Sequence, residues 1–331
     1  MTSPPGATTT PTVPGPVDRV PAPLLMAVSI GSVQVGSAVA STLFPALGAP
    51  GTVLLRLLLA GLLLAAVLRP AVHRWSAGAL GGCAVLGLAM AGMNGLFYLS
   101  LERLPLGVAV SVELLGPLAL SVVQARRAQD LLWSGLALSG VVLLGVRALG
   151  EAGADEGLDV VGLVLAASAG ACWAGYILAS ARVGRLVPGT GGLAVSLLVG
   201  AVLVAPFGVG GALGVVERPA LLVGVLAVAL LSSVVPYGAD LAALRRLPTR
   251  VYAVLMSLQP VAAALAGLVV LGQVLAPAEL VALALVSAAS AGVALSRRRD
   301  TGDVGPARPE DVSRTTGRRA RRERRRRVRS R

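Results

Sequence analysis

Three ionisable side chains, Arg56, Glu113 and Asp240, stand inside long apolar runs of this 331-residue chain. At the centre of a bilayer such a group costs about 2.5–3.5 kcal/mol on insertion scales, so each needs a partner, a water-filled cavity or a functional role. A buried carboxylate can bind a cation or carry a proton, and a buried guanidinium can clamp a carboxylate through its planar fork. Glu113 lies eight residues past Pro105, about 12 Å along a helix, which is mid-membrane depth. Ala109, Gly116 and Leu120 share its helix face, and the small Ala109 and Gly116 let a neighbour or a substrate come close to the carboxylate. Arg56 sits early in its own run, where it can clamp a substrate carboxylate, snorkel to the interface or neutralise Glu113. Asp240 is five residues from Arg245, so local pairing competes with a role in a site. Glu102 borders Arg103 in a turn and reads as solvated.

Neutral polar and aromatic groups form a second layer: Gln34, Asn94, Tyr98, Trp173, Tyr176, Tyr237, Tyr252, Ser257 and Gln259. The aromatic ones among them can line a cavity or form belts at the membrane interfaces. Other chemistries lack their residues. His73 is the one histidine, and Cys83 and Cys172 sit singly in apolar runs without CxxC spacing, so no metal site or catalytic triad is expected. The chain contains no lysine, which excludes a P-loop whose Lys must reach the phosphates. The expectation is a protein that is not an enzyme and needs no cofactor.

The elements that must position these groups are membrane helices. The chain is 55% hydrophobic and 14% charged, with mean hydropathy +0.81, whereas soluble domains carry about 25% charged residues. A spanning helix needs roughly 17 to 25 predominantly apolar residues. Ten segments qualify: approximately 23–43, 51–68, 77–99, 105–124, 130–147, 158–180, 190–208, 219–243, 249–271 and 276–296. They are continuously apolar rather than alternating, which favours helices over a barrel. Pro105 and Pro248 fall at first turns, where proline is tolerated; Pro117 and Pro260 fall in interiors and should act as hinges, with Gly116 beside the first.

Arg103-Leu104-Pro105 recurs 143 residues later as Arg246-Leu247-Pro248, and the same offset takes Pro117 onto Pro260. An internal repeat of this kind is the first organising feature to seek. The expected fold is an all-α integral membrane protein of ten helices in two five-helix repeats, residues 22–148 and 158–296. An acidic linker, 149–157, joins them. A Pro/Thr-rich lead, 1–21, and an Arg-rich tail, 297–331, flank them and read as disordered. Inner connections would carry Arg69, Arg74, Arg126, Arg127, Arg182, Arg185, Arg245, Arg246 and Arg250, against Arg103, Arg147 and Arg218 outside. That asymmetry puts both termini in the cytoplasm. Copies five helices apart insert in opposite senses, and inverted repeats with a midplane site are the architecture of many secondary transporters. A duplicated scaffold without a path is the alternative.

The blocks NGLFYLSLERLPLGVAVSVELLGPLAL and SSVVPYGADLAALRRLPTRVYAVLMSLQPVAAALAGLVVLG resemble the threonine/homoserine exporter group of the ten-helix drug/metabolite transporter superfamily, which has EamA-like repeats. The match is carried by Asn94, Tyr98, Pro105, Glu113, Gly116 and Pro117, then by Pro236, Tyr237, Pro248, Met256, Ser257 and Pro260. The resemblance implies an inner-membrane 5+5 inverted repeat exporting small amino acids against a proton gradient. Where the family often has Glu, this chain has Gln259 and Gln273, so more weight falls on Glu113.

A zwitterionic amino acid suits the inventory, with Arg56 for its carboxylate and Glu113 for its ammonium. Efflux of other metabolites or lipophilic cationic drugs is the alternative within transport. A membrane anchor for an Arg-rich binding tail is the alternative outside it. The tail holds 15 Arg against 5 acidic residues and no aromatic for base stacking, so anionic lipid headgroups are a better expected partner than nucleic acid. Oligomeric state is open.

Overall fold

The computed structural model describes residues 21–123, 128–150, 159–187, 190–236, 239, 246–247, 251 and 255–296. Its first helix, α1 (Ala22–Leu68), shows how the sequence folds back on itself. Forty-seven helical residues would run about 70 Å if straight, more than twice a bilayer's hydrocarbon core. Pro45, Gly48 and Pro50 lie at its middle, and Gly48 adopts φ 66°, ψ 162°, a left-handed backbone that glycine takes without a Cβ penalty. The chain reverses there. Gly36 and Arg56 both touch Ser232, although twenty residues of straight helix would separate them by about 30 Å. The two arms of α1 are therefore the first two expected spans, antiparallel to one another. The Glu102 carboxylate accepts the Ala49 N–H at 3.0 Å, capping the arm that starts at the reversal. Glu102 is exposed, as its place in a turn suggests, yet it also closes this reversal.

After a short 3₁₀ turn (Val72–Arg74) come α2 (Ala77–Leu101), α3 (Leu106–Glu113), α4 (Leu115–Val123) and α5 (Ala128–Gly150). The second half holds α6 (Val160–Leu186), α7 (Gly191–Ala212), the single turn α8 (Gly214–Glu217), α9 (Leu221–Ala229) and a π turn (Leu230–Val234). It ends with α10 (Gln259–Leu271) and α11 (Pro277–Ser296). Among the described residues there is no strand. Four helical stretches among them, Ala22–Leu68, Ala77–Leu101, Val160–Leu186 and Gly191–Glu217, are long and apolar enough to cross a membrane, and five shorter apolar helices accompany them.

Helices approach one another where a residue has no side chain, because lipid supplies no hydrophobic drive and close van der Waals packing must hold the bundle. The first arm of α1 meets α9 and its π turn at Gly224 and Gly36; the second arm meets α7 at Gly51 and Gly61. Helix α2 meets α6 at Gly82 and Gly92, α3 meets α10 at Gly107, and α5 meets α11 at Gly140. Every contact in this set joins the first half of the chain to the second. One large buried cluster runs through the body, including Leu47, Leu57, Tyr98, Val108, Leu197 and Val228.

The two expected hinges differ in form from the expectation. The span predicted over 105–124 is two helices, broken at Leu114. Pro117 has no N–H for the Glu113 carbonyl four residues back, so the ladder cannot continue there. Helix α4 restarts with Leu118 N–H reaching the Leu114 carbonyl at 3.3 Å. Pro260 does not kink a helix interior. Ser257 and Leu258 form a turn, and Pro260 occupies the first turn of α10, where its missing N–H is one of the orphans anyway. Leu114 and Ser257 are both three residues before their proline.

Candidate substrate site

Arg56 is buried at 9% exposure and held by two contacts. Its Nη1 donates to the Tyr98 hydroxyl at 2.9 Å, and its Nη2 donates to the Ser232 carbonyl at 3.2 Å. The guanidinium also lies over the Tyr98 ring, 5.4 Å from the centroid, a cation–π geometry. Tyr98 is wholly buried and its ring packs against Phe44 at 5.5 Å and Phe97 at 6.2 Å. Three elements thus converge: the second arm of α1 brings Arg56, α2 brings Tyr98 and the π turn brings Ser232.

The π turn has a cause in the sequence. Val235 N–H bonds the Leu230 carbonyl, five residues back. Pro236 follows and has no N–H, so it serves neither the Leu231 nor the Ser232 carbonyl. Side chains of α1 take both: Ser32 Oγ donates to Leu231 at 2.6 Å and Arg56 to Ser232. Such π insertions concentrate at functional sites. Ser232 is not among the residues that the sequence singles out; the available signal is a proline four positions after it.

Glu113 is also buried, at 8% exposure, at the last residue of α3. A Cβ on Gly170 of α6 would strike the Glu113 carbonyl oxygen, and a Cβ on Gly116 would strike the Gly170 carbonyl. The break in the α3–α4 span is therefore pressed backbone to backbone against α6. Among the described residues the one ion pair is Arg103–Asp159, so Arg56 and Glu113 do not neutralise one another in contact.

The remaining expected residues scatter. Asn94 is buried and spends its amide on the Met90 carbonyl at 2.7 Å. Gln34 is buried, and its Oε1 has no partner among the described residues. Trp173 packs with the cluster around Leu114 and Leu118, while Tyr176 packs against the main cluster. Ser257 and Gln259 are buried at the start of α10, Gln259 Nε2 lying 3.5 Å from Met256 Sδ. Tyr237, Asp240, Tyr252 and Pro248, like most of the linker and the whole tail, lie outside the described residues. Gln273 acts as a helix cap, its Oε1 accepting the Leu106 N–H at 3.0 Å at the start of α3, the helix that carries Glu113. No group of His, Cys, Asp or Glu among the described residues is arranged to hold a metal ion.

At the opposite end of α3 from Glu113, Asp159 caps α6 by accepting Val161 and Gly162 N–H, and pairs with Arg103 at 2.6 Å. The Arg103 hydrogen bond, with the two backbone bonds, holds the Asp159 carboxyl below the usual carboxylate range. A lowered native pKa means the contribution is complete above the ordinary Asp value of about 3.9 and fades as pH falls through the lower one. Asp159→Asn should keep the cap and lose the ion pair. Melting in detergent should therefore show a loss under about 1 kcal/mol at pH 7 that vanishes in acid; an equal loss at both pH values contradicts this.

A buried cation against a π turn and a buried carboxylate at a helix break, inside a lysine-free helical body with apolar helices of spanning length, point to a membrane transporter. Residues 160–295, from the start of α6 to the end of α11, match the EamA-like transporter family. The chain belongs to this family, as an RhtA-like member of the drug/metabolite transporter superfamily. It is 39% identical over 277 residues to the threonine/homoserine exporter RhtA of Salmonella typhimurium (strain LT2), covering 84% of this chain and 92% of the relative. It is 38% identical over 292 residues to RhtA of Escherichia coli (strain K12), covering 87% and 97%. One crystal structure superposes with a TM-score of 0.54 at 21% identity, covering 84% of this chain and 98% of its own; that likeness speaks for the fold.

Proposed function

We propose that the protein exports small amino acids of the threonine and homoserine kind across the inner membrane by proton antiport. The observation that carries this is the similarity to named threonine/homoserine exporters over more than nine-tenths of their length. The site supplies compatible chemistry, a guanidinium for the α-carboxylate and a carboxylate for the α-ammonium. No ion pair joins the two among the described residues, so each can serve one end of a zwitterion.

The proposed architecture is ten spans in two inverted five-helix repeats, 22–148 and 158–296. Its support lies in the helix contacts. Counting the arms of α1 separately and α3 with α4 as one span, five of the pairs that meet at a glycine are one with eight, two with seven, three with six, four with nine and five with ten. Shifting every ordinal by five maps these five pairs onto themselves, as a two-fold exchange of the halves would; Gly87 and Gly116 add three with seven and four with six. The matched breaks before Pro117 and Pro260 obey the same exchange. In this orientation both termini are cytoplasmic, and the Arg-rich tail can lie along anionic headgroups.

Counterflow of labelled threonine and homoserine in proteoliposomes, with and without a proton gradient, tests the export reading. Gradient-dependent accumulation is expected; exchange of neither amino acid rejects it. For topology, Asp155→Cys in a background lacking Cys83 and Cys172 should be labelled from the outer side. Labelling from the cytoplasmic side alone would sink both the orientation and the inversion.

A further inference from the structure

Arg56 uses its fork only in part. Nη2 and Nε lie on one edge of a guanidinium, the edge that receives a carboxylate in bidentate pairs. Here Nη2 rests on the Ser232 carbonyl, and Nε has no partner among the described residues. The Ser232 hydroxyl, on the same residue that Arg56 touches, also has none among them. Both side chains are more than nine-tenths buried, at 9% and 6% exposure. Burying a hydroxyl and a guanidinium N–H without acceptors is costly. Two orphaned donors, on residues joined through one carbonyl, therefore mark a place for an anion with two acceptor oxygens.

Gly36 faces the Ser232 hydroxyl with no side chain, and a Cβ there would collide with it. Pro236 withholds the N–H that would have sequestered the Ser232 carbonyl within a regular helix. That carbonyl is then the resting acceptor for Arg56, weak enough at 3.2 Å to be exchanged for a charged one.

We propose that the α-carboxylate of the transported amino acid binds between the Nε–Nη2 edge of Arg56 and the hydroxyl of Ser232. Pro236 is the positioning residue that opens this subsite through the π turn. The proposal rests on the amino-acid export reading and names the carboxylate subsite within it. On binding, one carboxylate oxygen takes the place of the Ser232 carbonyl at Nη2, and the two orphaned donors acquire acceptors. Arg56 keeps its hold on Tyr98, which fixes the plane of the fork.

The test is competition against labelled L-threonine counterflow by the full-length protein in proteoliposomes. L-threonine is compared with L-threoninamide, which keeps the ammonium and side chain but has no carboxylate. For the wild type the amide should compete at least about tenfold more weakly, the effect of losing a charge-assisted hydrogen bond. Ser232→Ala should cut the preference for threonine over its amide by about tenfold while leaving amide affinity within about twofold. Ser232→Thr, which keeps a hydroxyl, should retain the preference. Pro236→Ala lets the π turn close into regular helix, which shifts Ser232 relative to Arg56, and should also lower the preference.

Equal competition by threonine and its amide in the wild type overturns the proposal without any variant. So does a Ser232→Ala protein that weakens both ligands equally, because that is the mark of a structural role. Wild-type protein that exchanges neither threonine nor homoserine overturns the export reading, and this subsite with it.

Discussion

Glu113→Gln is expected to abolish gradient-driven export while leaving the protein inserted and folded. The side chain is buried at the end of α3 and has no ion-pair contact with Arg56, so the amide removes a charge without stranding a bonded partner. An ammonium held by this carboxylate loses its counter-charge whenever a proton arrives, so proton and substrate compete for one side chain. In the proposed antiport, a proton entering from outside would expel the ammonium outward, and its loss to the cytoplasm would restore binding. Glutamine holds the site in the neutral form. Substrate affinity should fall about 10- to 100-fold, the size of one or two charge-assisted hydrogen bonds, and should become independent of pH. Folded yield should match the wild type. A Glu113→Gln protein that still exports uphill with a proton gradient would falsify the assignment and move suspicion to Asp240.

How much of this was legible in the sequence depended on whether the cause was local. The reversal in α1 was, because Pro45, Gly48 and Pro50 interrupt an apolar stretch too long to cross once. The break before Pro117 was, because a missing N–H four residues after Glu113 acts within one turn. The burial of Glu113 and Arg56 agrees with their places inside apolar runs. What was not legible was contact across the fold. Ser232 is 176 positions from Arg56, and only the folded chain brings the π turn onto the guanidinium. Glu102 capping Ala49, and Gln273 capping Leu106, are equally non-local. Pro260 shows the limit of the local rule: an interior proline can bend a helix or restart it, and here the Ser257–Leu258 turn restarts it. The pairing of Arg56 with Glu113, attractive from composition alone, gave way to Tyr98 and Ser232 because a phenol and a freed carbonyl lie nearer.

Gly116 and Pro117 are adjacent, yet substitution to alanine should act on different properties. Gly116 lies against the backbone of Gly170, and an added Cβ overlaps its carbonyl oxygen and carbon. A flexible side chain could yield to such a group, but backbone of a packed α6 cannot move without shifting the whole helix. Gly116→Ala should therefore cost at least the roughly 1–3 kcal/mol typical of overpacking, seen as lower folded yield and a lower melting temperature in detergent. Pro117→Ala adds no such clash and supplies an N–H at the position where the Glu113 carbonyl lacks one. The α3–α4 break can then close into continuous helix, so stability should hold or rise. The break is also where Glu113 sits, and a straightened helix turns and stiffens the segment that, in the proposed cycle, presents the carboxylate alternately to each side. Counterflow should slow by at least about tenfold, equivalent to one hydrogen bond, about 1.4 kcal/mol, that must be broken again in each cycle. Size-exclusion yield, melting temperature and initial rate of threonine counterflow, measured on both variants, separate the two effects. Gly116→Ala protein with unaltered melting would remove the backbone contact from the account of stability. Pro117→Ala protein with normal turnover would remove the proline break from the account of transport.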